Sequence, residues 1–74
     1  MSEEINSVMD TGANTAYILA HTFTEEESAE FRRAVAHAQA RGLAAEFLFS
    51  VRQNLKRGDD IVVAIRGGLM EWDL

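Results

Sequence analysis

The sequence contains no cysteine and no proline. Without cysteine there is no disulfide and no thiolate metal site. Without proline the strongest helix and strand breakers are gone, which suits a chain built mostly of regular elements. No apolar run approaches the length of a membrane span. The N-terminus, MSEEINS, is acidic and does not follow the basic-then-apolar layout of a secretion signal. A cytoplasmic protein without membrane association is therefore expected.

The 74 residues make one domain, residues 1–74. Hydrophobic residues are 47% and charged residues 26%, a globular composition. A domain this small, with no covalent staple, must pack efficiently or associate with another chain.

Charge is unevenly spread around the net −5. Residues 1–30 hold seven acids and no Lys or Arg. Residues 31–57 hold Arg32, Arg33, Arg41, Arg52, Lys56 and Arg57 against Glu46 alone. Such blocks can mark an interaction surface, but helix dipoles offer a plainer cause. Acids near helix N-termini and bases near C-termini are each favourable by about 0.3–1 kcal/mol. Two consecutive helices would produce this map.

The signals for those helices are specific. Thr24 can cap a helix while Glu27, three residues on, reaches back to it. The pattern runs to Arg41, where Gly42 suits a left-handed stop. Phe31, Ala34, Val35 and Ala38 form its apolar stripe. A second helix follows from about Leu43 to Arg57, with Gly58 as its stop and Ala44, Phe47, Leu48, Val51 and Leu55 as its stripe. The short break implies a helical hairpin or corner.

The last fourteen residues, IVVAIRGGLMEWDL, read as a β-hairpin. Gly67-Gly68 suits a two-residue turn that needs positive φ at both positions. Folding there pairs Val63 with Trp72 and Ile65 with Met70. One sheet face then collects Ile61, Val63, Ile65, Met70, Trp72 and Leu74. A lone hairpin is marginal in water, and residues 15–21, TAYILAH, offer a third strand after a short N-terminal helix or tail. The same stretch also fits a helix through Ile5, Val8, Met9, Ala16, Leu19 and Phe23, interrupted at Asp10-Thr11-Gly12. The expected fold is α+β: a two-helix hairpin packed on a small antiparallel sheet ending in the C-terminal β-hairpin.

Chemistry-bearing patterns are few. His21 and His37 are the only histidines, and His37 lies one turn from both Arg33 and Arg41, a setting that repels a metal. Asp59-Asp60 fits a turn in which Asp bonds nearby backbone N–H groups. No serine stands in a nucleophile motif, and Gly67-Gly68 has no surrounding phosphate-loop pattern. No enzyme, cofactor or metal site is expected.

Phe49 stands out because it points away from the main stripe of its helix, beside Ala45, Arg52 and Lys56. An aromatic among cations suits a protein interface, base stacking on a single strand, or packing on its own N-terminal segment. Ala29, Ala36 and Ala40 form a small-residue strip on the helix before, though alanine is also the best helix former.

The expected order of helix, strand, helix, helix and hairpin resembles that of winged helix-turn-helix proteins over most of the chain. That resemblance implies a DNA- or RNA-binding regulator using the Arg- and Lys-rich helices. The sequence departs from it in three ways: the first long helix is long for the motif, LAAEFLFSVRQNLKR faces the core, and the tip Arg66-Gly67-Gly68 is weakly basic. The residues alone favour a non-catalytic protein-binding module, a regulator, adaptor or inhibitor acting as a homodimer. Its contact residues would be Phe49, Arg52 and Lys56, then Arg33, His37 and Arg41.

Overall fold

In the computed structural model, residues 10–74 are described, and they form four helices: α1 (Thr11–Leu19), α2 (Glu25–Ala40), α3 (Ala44–Arg57) and α4 (Ile61–Glu71). The expected N-terminal helix or tail, with Ile5, Val8 and Met9, lies outside the described residues. Among the described residues there is no strand. The fold is an all-helical bundle, so the α+β expectation, with its C-terminal β-hairpin and its third strand, is overturned.

Three of the four helices start on a side-chain cap, and α3 starts without one. Asp10 accepts a hydrogen bond from the Ala13 N–H at 3.0 Å and starts α1. The Asp10-Thr11-Gly12 stretch expected to interrupt a helix therefore begins one, and TAYILAH lies mostly within it. Thr24 and Glu27 form the expected reciprocal cap of α2, with bonds of 3.1 and 2.8 Å. Asp60 accepts from the Val63 N–H at 3.0 Å and starts α4. Its neighbour Asp59 pairs with Arg57 at 2.7 Å.

Three helices stop in the same way. Gly42 at φ +72° ends α2, with Gly42 N–H donating to Gln39 O and Leu43 N–H to Ala38 O. Gly58 at φ +109° ends α3, with bonds to Leu55 O and, from Asp59, to Asn54 O. Asp73 at φ +54° ends α4, with bonds to Met70 O and, from Leu74, to Leu69 O. This paired pattern satisfies carbonyls that the helix leaves without partners.

The hairpin fails for a reason visible in α4. Its buried residues are Ile61, Ala64, Ile65 and Gly68, spaced i, i+3, i+4 and i+7 as on one face of a helix. Gly67 and Gly68 are helical and do not turn; among glycines, positive φ belongs to Gly42 and Gly58. The pair serves close approach instead. A Cβ on Gly68 would stand 3.1 Å from the Phe47 ring and 3.2 Å from Val51, and one on Gly67 would stand 2.9 Å from Asn54 Nδ2. Phe47, Val51 and Asn54 share one face of α3. Phe47 meets Gly68, while the Asn54 amide donates to the Ala64 carbonyl at 3.2 Å. The two helices therefore run antiparallel across the three-residue link 58–60. The loss of the hairpin also removes the wing on which the winged-helix resemblance depended.

α3 is the hub, packing against α1, α2 and α4, while α2 also touches α4. The core joins Ile18 of α1; Phe31, Ala34 and Ala38 of α2; Phe47, Leu48, Val51 and Leu55 of α3; and Ile61, Ala64 and Ile65 of α4. The stripes expected on α2 and α3 are thus the buried ones, with Val35 and Ala44 half-buried at their edges. On α4 the expected sheet face divides: Ile61 and Ile65 are buried, whereas Val63 is 50% and Met70 82% exposed. Among the described residues no helix is long and apolar enough to cross a membrane. The radius of gyration, 11.4 Å, matches the roughly 11 Å of an independent domain of this length.

Candidate functional site

The residues expected to share one contact surface, Arg41 apart, are distributed over three places. Arg52 and Lys56 project from α3 toward α1. The Arg52 guanidinium carbon lies 5.6 Å from the Tyr17 ring centroid, and the Lys56 ammonium lies 6.0 Å from it. Both distances suit cation–π attraction. Tyr17 also contacts the His21 ring at 5.3 Å. His21 Nδ1 sits 3.1 Å from the Tyr17 carbonyl oxygen, where a proton on that nitrogen would be donated to it.

Arg33 and His37 lie instead on α2. With Glu30, Ala34, Ile65 and Leu69 they line a shallow groove of about 270 Å³ between α2 and α4. Arg66 of α4 approaches Glu30 there, at 3.7 Å. Arg41 is exposed at the end of α2 and lines neither place.

Phe49 marks the third. The structure leaves it half-buried, on a cleft of about 440 Å³ lined also by Ser50, Gln53, Glu71 and Trp72. Position 53 follows Phe49 by one helical turn, so the two share the edge of α3 that borders the end of α4. Ser50 is buried, and its hydroxyl accepts the Trp72 indole N–H at 2.8 Å. That bond fixes one edge of the indole while leaving 36% of the residue exposed. An aromatic held in this way offers apolar area with little side-chain freedom left to lose on binding.

Neither Glu71 nor Trp72 was among the residues expected at a contact surface. In the hairpin register Trp72 belongs to the face that covers the helices, so it reads as packing. Its pairing with Ser50, 22 positions earlier, leaves no local trace in the sequence. The feature that was legible is Phe49, an aromatic off the stripe of its own helix.

The cleft brings apolar rings and polar groups together on one surface. Its walls are two aromatic rings, with an amide at Gln53 and a carboxylate at Glu71. Among the described residues, no group of three or more His, Asp or Glu is placed to hold a metal. Their buried side-chain nitrogen and oxygen atoms all have hydrogen-bond partners.

Comparison with family models, with curated proteins and with solved structures gave no match.

Proposed function

We propose that the protein is a non-catalytic binding module that docks a protein partner at the cleft between Phe49 and Trp72. The observation that carries this is the Ser50–Trp72 hydrogen bond, which holds an exposed indole beside a second aromatic at the mouth of an open cleft. Tryptophan in a bordered pocket is a frequent anchor of binding energy. Regulation, adaptation and inhibition are all roles that such a module serves.

The test is affinity capture from extract of the source cells, followed by identification of the captured chain. A specific partner should be retained by the native protein and lost with Phe49→Ser. The melting temperature of that variant reports whether the ring also supports the fold. Gln53→Arg crowds the same cleft from an exposed position and should reduce capture without unfolding. Equal capture by the native chain and both variants would remove the cleft from the interface.

A second copy of the chain is a further partner, favoured by a different observation. Val63 and Met70 lie one heptad apart on the outward side of α4, 50% and 82% exposed. Antiparallel pairing about a two-fold axis near Gly67 would set Val63 of each copy against Met70 of the other. Sedimentation at micromolar concentration tests that association.

A further inference from the structure

We infer that the Phe49–Trp72 cleft takes a basic side chain, an arginine, presented by the protein partner. This rests on the docking role proposed for the cleft and names the chemistry that the cleft selects.

The argument begins with the end of α4. Helices α2 and α3 carry bases in their last turns, His37 in one and Lys56 and Arg57 in the other. α4 carries none and finishes on Glu71. The C-terminal end of a helix bears about half a negative charge from its carbonyls. Glu71 adds a full charge at that end, and Asp73 follows it two residues later. Like charges are thereby gathered where a cation would be favoured. Glu71 forms no ion pair among the described residues, whose pairs are Arg57–Asp59 and Arg66–Glu30.

Glu71 also lines the aromatic cleft. A cation entering there meets a carboxylate, the negative helix end and the electron-rich rings of Phe49 and Trp72. Few other ligands would use all three. An acidic ligand would be repelled, and a purely apolar one would leave Glu71 unpaired. The net charge of −5 draws a cationic partner from a distance as well. Arginine is favoured over lysine because its planar guanidinium stacks on rings, pairs a carboxylate in two-point fashion and is more weakly hydrated.

The test uses the full chain and reads the indole N–H resonance of Trp72, the only tryptophan. The probe is the pentapeptide Gly-Gly-Arg-Gly-Gly, blocked at both ends. It is compared with versions carrying citrulline, the neutral isostere, or lysine at the centre. The arginine peptide should shift the resonance saturably, with a Kd about tenfold below that of the citrulline peptide. Glu71→Gln should narrow the gap between the two peptides without closing it, because the rings and the helix end still favour the cation, with the fold unchanged by circular dichroism. Equal binding of arginine and citrulline by the native chain, or no shift with arginine, would overturn the choice of a basic side chain. Tighter binding of the lysine peptide would overturn the choice of guanidinium. None of these results touches the docking role itself, which falls only if Phe49→Ser and Gln53→Arg leave partner capture unchanged.

Discussion

Gly68 packs directly on the Phe47 ring: a methyl group at that glycine would stand 3.1 Å from two of its carbons and 3.2 Å from Val51. Phe47 is fully buried, so the ring has no free space into which to retreat. Two effects oppose each other in Gly68→Ala. Alanine is favoured over glycine within a helix by about 1 kcal/mol. Overpacking a filled core costs about 1–3 kcal/mol. The contacts at Gly68 are tight on two sides, so overpacking wins, and the variant should lose about 1 kcal/mol. Gly67→Ala provides the comparison, because its methyl meets the terminal amide of Asn54, which can rotate. Rotation gives up the bond to Ala64, worth about 1 kcal/mol, and nearly cancels the gain in propensity. Urea unfolding of both variants should show Gly68→Ala clearly less stable than the native chain and Gly67→Ala close to it. The reverse order would contradict the packing of α4 on α3.

The same glycines explain where the sequence was misleading. Ile61 and Ile65 are four apart, a spacing that fits one face of a strand and one face of a helix equally. β-branched Ile61, Val62 and Val63 favour extended structure, and the glycine pair supplies a turn between two apolar stretches. Ala64 and Gly68 decide the matter. Their smallness gains meaning only when Phe47 and Val51 lie across from them, and no local pattern shows that. Asp60 was a better local guide, as a cap three residues ahead of the N–H it accepts, and Asp10 plays that part for α1. By contrast, α2 and α3 were legible because the cap of α2 and the stops and stripes of both are local. For the same reason Phe49 could be singled out as lying off its stripe, while its partner wall at Trp72 could not.

Asp73 should be a site of gain. It occupies the left-handed conformation at φ +54° that Gly42 and Gly58 fill in the other two stops. A side chain there carries a steric penalty that glycine avoids. Its charge also faces the negative end of α4. Asp73→Gly should therefore stabilise the chain by about 0.5–1 kcal/mol, even after the greater freedom of glycine in the unfolded state is counted. For a domain of this size that raises the Tm by several degrees, on the order of 4 °C. A fall in Tm would mean that the α4 stop is not formed as described.

Ser50 should matter more to the indole than to the fold. Ser50→Ala removes the acceptor of the Trp72 N–H, a bond worth about 0.5–1.5 kcal/mol. Trp72 is already part-exposed, so water can take over, and the loss should fall at the low end. The indole is then free to swing outward, and its fluorescence should move to longer wavelength. Affinity for a partner at the cleft should fall by more than stability does, since the ring must be ordered again on binding. An unchanged emission maximum would show that the hydrogen bond does not fix the ring in solution.

Met70 gives the cleanest test of self-association, because it is 82% exposed and contributes little to the monomer's core. If two copies meet along the outer side of α4, Met70→Lys should split them. It replaces an apolar contact, repeated by symmetry on both sides of the axis, with a charge that each half of the interface must bury. The native chain should sediment as a dimer at micromolar concentration and the variant as a monomer with the same helical spectrum. A native chain that sediments as a monomer throughout that range would eliminate the second copy as a partner. The cleft at Phe49 would be unaffected by that outcome, because Met70 and Val63 are not among the residues that line it.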